Sequence, residues 1–183
     1  MSKIDPQKDR AKHIVLAIIG AAGGTLDNKT NLYKAFYYAH LHFTQGTGEF
    51  LSAWPIVRMP RGPGIHNGGI LLGELVASKH LRISQIRSGT HAAFRFCLTE
   101  KGRRAAAELT SEECEAISKA VAGVFGKTAG RVSDESHVVS KTWHDTENGK
   151  ELAIYADLLT PDEYAATRAR TKKAAEFFRR RHD

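Results

Sequence analysis

The chain has 183 residues, of which 42% are hydrophobic, 26% charged and 8% aromatic. This composition is typical of one folded domain with at most a helical appendage, and it excludes collagen-like, coiled-coil and wholly disordered chains. The formal net charge of +7 favours acidic partners, either nucleic acid or an acidic protein surface.

The N-terminal region gives no sign of membrane insertion or export. Its longest apolar run, residues 14–22, is about half of the roughly 20 residues that cross a bilayer. Charged residues precede this run and no small-residue cleavage site follows it, which is unlike a signal peptide. We therefore predict a cytoplasmic protein with no membrane partner.

Hydrophobic periodicity predicts two helices at the start of the chain, at residues 11–22 and 32–43. The second is so rich in tyrosine and phenylalanine that we expect it at the centre of the core. Residues 50–59 favour a strand, which Pro55 restricts to an edge or irregular position. The glycines and Pro63 that follow predict a turn over residues 60–64, with positive φ at a glycine.

The next segments have the order of a winged helix. Residues 67–80 predict a third helix with Ile70, Leu71 and Leu75 on its buried side, and Leu72 and Val76 are placed there as well. Alternating apolar and polar residues at 81–86 and 92–98 predict a β-hairpin, the wing, with one buried face. A further helix is predicted to begin near Thr99.

The second half is predicted to be helical. Thr110 and Glu113 fit a capping box that starts a helix to about residue 124, and Thr160, Pro161 and Glu163 start a C-terminal helix. Residues 168–183 contain seven basic and two acidic side chains, a local charge of +5, so the remainder is close to neutral.

We therefore predict an α+β, mainly α-helical fold with a winged-helix-like centre, a small β-hairpin and a basic C-terminal helix. Residues 1–159 are predicted to form a single domain, with the winged-helix-like core at about 11–109 and a helical remainder at 110–159. Residues 160–183 are predicted to form the basic C-terminal helix.

Four features together resemble one family. They are Leu-Tyr-Lys-Ala-Phe-Tyr-Tyr-Ala-His-Leu-His-Phe at residues 32–43, the Arg61-Gly-Pro-Gly turn, Ser133-Asp-Glu-Ser-His137 before Trp143, and Gly149-Lys-Glu-Leu-Ala-Ile-Tyr155. In order and spacing, residues 30–159 resemble the Panacea domain of SocA-like antitoxins. One departure is Leu-Ala-Ile-Tyr where the family has an Ile-Pro-Tyr-like strand.

The resemblance implies a non-enzymatic antitoxin in a toxin–antitoxin system, which binds and neutralises a toxin protein encoded nearby. Some members of the family deliver the toxin to a protease, so a protease is a second implied partner. The alternative is a winged-helix transcriptional regulator that binds DNA through a basic wing and a basic C-terminal helix. The two functions are compatible in one protein.

Candidate contact residues follow from these two functions. The candidate nucleic-acid-binding residues are Arg82, Arg87 and Arg95 on the wing and Arg179, Arg180 and Arg181 on the tail. The candidate protein-contact aromatics are Tyr37, Tyr38, Trp54 and Trp143. The alternatives are solvated arginines on a protein-binding module and aromatic side chains that belong to the core.

No catalytic, metal or cofactor site is predicted. His40 and His42 are two residues apart and therefore lie on different helix faces, and neither has a companion at ligand spacing. His137 and His144 give a weak metal or proton-transfer signal, and hydrogen bonding to local backbone is the preferred interpretation. Residues 61–69 lack the Lys-Ser/Thr of a phosphate loop, and no nucleophile elbow occurs. We therefore predict a protein that is not an enzyme.

Overall fold

The structure is a computed structural model that describes residues 5–88 and 91–179. Its elements, in chain order, are α1 (Pro6–Ala21), β1 (Thr25–Asp27), α2 (Lys29–Thr47), β2 (Ile56–Met59), β3 (Gly62–Ile65), α3 (Gly68–Ala77), β4 (Leu81–Ser88), β5 (His91–Leu98), α4 (Glu100–Ala106), α5 (Ser111–Val124), α6 (Ala129–Val139), α7 (Lys141–Asp145), a 3-10 helix (Ile154–Leu158) and α8 (Pro161–Arg179). The predicted α+β, mainly helical fold class is confirmed.

The centre has the element order of a winged helix. Strands β1, β5 and β4 form one antiparallel sheet in that spatial order, with Leu26 opposite Phe96 and Leu81 opposite Leu98. Helices α1, α2 and α3 precede the β4–β5 wing, and the separate β2–β3 hairpin is inserted between α2 and α3. The predicted wing hairpin is therefore confirmed.

Helix α2 lies at the centre of the core, as its aromatic content predicts. Leu32, Phe36 and Tyr37 are fully buried. They belong to one cluster with the apolar faces of α1 and α5, which include Ile14, Ile18, Ile117 and Val121. Burial of such large side chains provides most of the free energy that favours folding.

Side-chain caps fix where several helices begin. Thr110 and Glu113 form the predicted capping box of α5, and Thr160 forms the same reciprocal pair with Glu163 at α8. Asp5 accepts hydrogen bonds from Gln7 N and Lys8 N, so α1 begins at Pro6, five residues earlier than hydrophobic periodicity predicts. A polar first turn carries no apolar signal, which explains the difference.

The region after α2 differs from prediction. Only Ile56–Met59 of residues 50–59 is a strand, and it pairs with Gly62–Ile65, of which residues 62–64 were predicted as part of a turn. The turn proper is Pro60 and Arg61. Gly-Pro-Gly carries little intrinsic strand preference, so this strand forms because tertiary packing holds it.

Helix α8 extends the chain beyond the core. Tyr164 donates to Asp145 Oδ2 (2.7 Å), and Arg168 forms an ion pair with the same carboxylate at 2.8 Å. The side chains of residues 165–176 are all exposed, so α8 presents a solvated basic surface. Within the described residues, no helix has the length and apolar character required to span a bilayer.

Candidate functional site

The segments that resemble the Panacea domain meet around the β2–β3 hairpin. From α2, Lys34 Nζ donates to Pro63 O at 2.6 Å. From α6, the Ser133 hydroxyl donates to Arg61 O at 3.0 Å. Side chains from two distant helices therefore hold the two sides of this turn.

The segment after α7 continues the hairpin on its other edge. Arg58 N donates to Lys150 O and Leu152 N donates to Ile56 O, both at 2.8 Å. We call the assembly the hairpin cluster and define it as Lys34, residues 56–65, Ser133, Ser136, His137, Trp143 and residues 149–152. All four segments of the resemblance contribute to it.

Gly62 occupies a crowded position of the hairpin cluster. Its φ is +93°, a conformation that L side chains rarely adopt. A Cβ at this position would collide with Ser136 Oγ and would lie 3.0 Å from Lys34 Nζ. The predicted requirement for glycine in this turn is confirmed, and close packing by α2 and α6 adds to it.

Trp143 holds the hairpin rather than standing free on the surface. Its ring stacks on His137 with 4.0 Å between centroids, and the Arg58 guanidinium lies 4.6 Å from the ring centroid. Trp143 Nε1 donates to Met59 O (2.8 Å), and Arg58 Nε donates to Trp143 O (2.9 Å). This half-buried tryptophan therefore joins α7 to β2.

The two predicted histidine positions have different surroundings. Burial lowers the pKa of His137, and its Nε2 is buried with no hydrogen-bond partner among the described residues. His144 Nε2 lies 2.9 Å from His137 O, in agreement with backbone hydrogen bonding. Across residues 5–88 and 91–179, no group of three His, Cys, Asp or Glu side chains forms a candidate metal site.

A second network of hydrogen bonds is centred on the buried carboxylate of Asp157. Asp157 accepts hydrogen bonds from the hydroxyls of Tyr37 (2.7 Å) and Ser140 (2.8 Å) and from Thr142 N (2.8 Å). Burial and this carboxylate raise the pKa of Tyr37. Tyr37 is therefore a core residue that anchors the 3-10 helix.

The other predicted protein-contact aromatics are half-buried and lie apart from each other. Burial raises the pKa of Tyr38 to about 12, and its side chain lines a groove with Leu41 and Val138. Trp54 Nε1 donates to His66 O at 2.9 Å, beside α3. The structure does not bring Tyr38, Trp54 and Trp143 together into one surface.

The three wing arginines do not form one cationic surface. The register pairs Arg82 with Cys97, Ser84 with Arg95 and Arg87 with Ala92, so Arg82 and Arg95 share a face of the hairpin and Arg87 lies on the opposite face. Arg95 also donates to both oxygens of Asp27, at 2.7 and 2.8 Å, and this ion pair lowers the pKa of Asp27. The wing therefore does not present three unpaired arginines to one DNA phosphate backbone.

The predicted tail residues are only partly within the described chain. Arg179 is the last residue of α8, whereas Arg180 and Arg181 lie outside the described residues. The basic side chains that the structure places along exposed α8 are Arg168, Arg170, Lys172 and Lys173.

Helix α3, at the position of a winged-helix recognition helix, presents an apolar surface. Leu71, Leu72 and Leu75 are buried, but Ile70 is 55% exposed and Val76 is 41% exposed. The prediction that Ile70 and Val76 lie on the buried side is therefore wrong. Leu71, Leu72 and Leu75 define the buried side of the helix, and Ile70 and Val76 flank it on either side.

A groove runs from α3 to the wing. It has a volume of about 670 Å³ and includes Val76, Lys79, Arg82 and Ile83. Glu74, the one carboxylate of α3, forms ion pairs with Lys12, at 2.8 Å, and with Lys8. Val76 and Ile83 therefore form an exposed apolar strip, and Lys79 and Arg82 lie along its edge. This surface was not predicted from the sequence.

Comparisons with known protein families, with curated proteins and with solved structures find no match to this chain. Arguments about function therefore depend on the residues and on their arrangement.

Proposed function

We propose that the chain is a cytoplasmic, non-enzymatic, antitoxin-type interaction protein that binds and neutralises a partner toxin. The observation that carries the proposal is the exposed apolar surface of α3, with Ile70 and Val76 at the position where a DNA-reading helix has polar side chains. The packing of all four Panacea-like segments into the hairpin cluster is in agreement with the resemblance.

The chemistry of α3 favours a protein partner. Base edges and phosphates are recognised by hydrogen-bond donors and acceptors, and Ile70 and Val76 supply neither. Glu74 would repel phosphate, although Lys8 and Lys12 partly neutralise it. Exposed aliphatic side chains that become buried in a complex, in contrast, gain hydrophobic free energy.

The groove between α3 and β4 indicates what the partner presents. Val76 and Ile83 supply apolar contact, and Lys79 and Arg82 add positive charge beside them. No Asp or Glu lines this groove in the part of the chain that the structure describes. A toxin surface with an apolar centre and acidic residues around it is complementary to this arrangement.

Aspartate at either apolar position is expected to break the complex. Ile70→Asp and Val76→Asp should each weaken toxin binding by at least about thirtyfold, because burying an unpaired carboxylate costs roughly 2 kcal/mol or more. The toxin is first identified by affinity capture from nuclease-treated lysate at moderate salt. Binding of the purified pair is then measured by calorimetry, and neutralisation by rescue of growth.

Val138→Asp is the matched control. Val138 is 86% exposed on α6 and lines the different groove beside Tyr38. The control should bind and neutralise like the wild type. A complex that tolerates both α3 variants but is lost in Val138→Asp would overturn the assignment of the α3 surface.

DNA binding is the second candidate function, supported by the winged-helix order and by α8. Lys172 and Lys173 are both exposed on α8. Each phosphate contact contributes about 0.9 to the slope of log K against log salt. Lys172→Ala together with Lys173→Ala should therefore reduce that slope by about 2.

Arg95→Ala provides the contrast in the same DNA titration. Because Arg95 is paired with Asp27, its loss should change the slope by much less than the loss of an unpaired lysine. Fluorescence anisotropy with duplex DNA at several salt concentrations measures both variants. A slope that is unchanged by the double lysine variant would remove α8 from any DNA interface.

A further inference from the structure

A cavity of about 470 Å³ lies beside the first turn of α2, between the β2–β3 turn and strand β5. Its basic lining residues are Lys29, Lys34 and Arg61, and no Asp or Glu among the described residues lines it. Asn28, at the N-cap of α2, also borders it and makes no side-chain capping bond. The lining therefore contains three basic side chains and no acidic one to balance them.

Lys34 is the unusual member of this set, because its side chain is almost fully enclosed. The residue is 2% exposed, and the one hydrogen bond that the described residues give its ammonium group is to Pro63 O. An ammonium group has three donors, and no described carboxylate forms an ion pair with it. Burial without an ion-pair partner favours the neutral amine, whereas an anion bound beside the group favours the ammonium form.

The remaining lining offers an apolar surface. Tyr33, Met59 and Phe94 contribute the larger apolar groups, and Phe94 is 48% exposed although it is a large aromatic side chain. Lys29 Nζ lies 5.1 Å from the centroid of the Tyr33 ring. The volume and the mixture of apolar wall and few charged groups are typical of small-molecule pockets.

We propose that this cavity binds a small phosphate ester, with its phosphate between Lys34, Lys29 and Arg61 and its planar apolar part against Tyr33 and Phe94. A phosphate monoester is preferred to a carboxylate because its charge of nearly −2 matches the excess of positive charge more closely. Arginine also binds phosphate through two parallel hydrogen bonds. The site requires no partner protein, so it goes beyond antitoxin function.

Phenyl phosphate is the minimal probe, because it combines a planar apolar ring with a dianionic phosphate. Three related compounds separate the contributions: inorganic phosphate lacks the ring, benzoate carries one charge, and phenol carries none. We expect phenyl phosphate to bind more tightly than each of them in titrations followed by calorimetry. Equal affinity for phenol and phenyl phosphate would overturn the proposal.

Methionine variants test the cations. Lys34→Met keeps the length and apolar character of the side chain and should weaken phenyl phosphate binding at least tenfold, as should Arg61→Met. Lys119→Met, which removes an exposed cation on α5, is the control and should bind like the wild type. Wild-type affinity in both Lys34→Met and Arg61→Met would overturn the proposal.

A measurement on the wild-type protein does not depend on how the variants fold. Ala92, Ala93 and Met59 line the cavity, so their methyl resonances should shift together as phenyl phosphate is added. The methyl resonances of Ala116 and Ala120, buried on α5, should remain unchanged. The highest concentration is about 10 mM, roughly ten times a millimolar dissociation constant. The absence of any shift at Ala92, Ala93 and Met59 at that concentration would overturn the proposal.

Discussion

Replacing Asp157 with alanine is expected to lower the free energy of unfolding by about 3–5 kcal/mol, because several buried donors lose their acceptor at once. The Tyr37 and Ser140 hydroxyls and Thr142 N all donate to this carboxylate. The Thr142 hydroxyl donates to it as well, at 3.1 Å. Tyr37, Ser140 and Thr142 are buried, so their donors have little access to water as a replacement acceptor.

Urea unfolding followed by circular dichroism measures the effect, and two variants give its scale. Tyr37→Phe removes one donor and leaves the carboxylate with the others, so the expected loss is about 1 kcal/mol. Asp162→Ala changes an exposed aspartate in the first turn of α8 and should cost less than about 1 kcal/mol. A loss of under about 1 kcal/mol in Asp157→Ala would show that the network contributes little to stability.

Sequence patterns predict those parts of the fold that depend on residues close together in the chain. The capping residues of α5 and α8 act within four residues of each other, so sequence spacing is enough to find them. The alternation in β4 and β5 is likewise local, and the wing forms where it predicts. Positive φ at a glycine of residues 60–64 was predicted from the local Gly-Pro pattern, and Gly62 is the glycine that adopts it.

The candidate sites depend on residues far apart in the chain, which spacing does not reveal. Asp157 meets Tyr37 across 120 positions, and Arg95 meets Asp27 across 68 through the short strand β1, which was not predicted. In the sequence, Lys34 looks like any lysine on an amphipathic helix, whose ammonium would reach solvent. It is buried because the β2–β3 hairpin and α6 pack around it, contacts that its spacing in α2 does not reveal.

Burial of an ammonium group also determines how the protein responds to pH. The free energy of unfolding is expected to rise by roughly 3–5 kcal/mol between pH 7 and pH 10, because burial lowers the pKa of Lys34 to about 7. In the unfolded chain a lysine keeps its proton up to a pKa near 10.4. Over this interval the unfolded state binds more protons than the folded state, so stability increases with pH.

The rise of the free energy of unfolding is confined to the interval between about pH 7 and pH 10. Below about pH 7, Lys34 is protonated in both states and contributes no further slope. Above pH 10, burial of Tyr33 and Tyr38 acts in the opposite sense: it raises the pKa of each to about 12, so unfolded tyrosines lose protons first and stability falls. Maximum stability is therefore expected near pH 10.

Urea unfolding at pH 6.5, 8 and 9.5 tests this dependence, with Lys34→Met as the decisive variant. Without an ammonium group at position 34, most of the rise should disappear, and the variant should be at least as stable as the wild type at pH 7. Lys119→Met removes an exposed lysine and should keep the full rise. If Lys34→Met retains the same rise as the wild type, Lys34 is not its cause, and the folded protein keeps this ammonium group protonated across the interval.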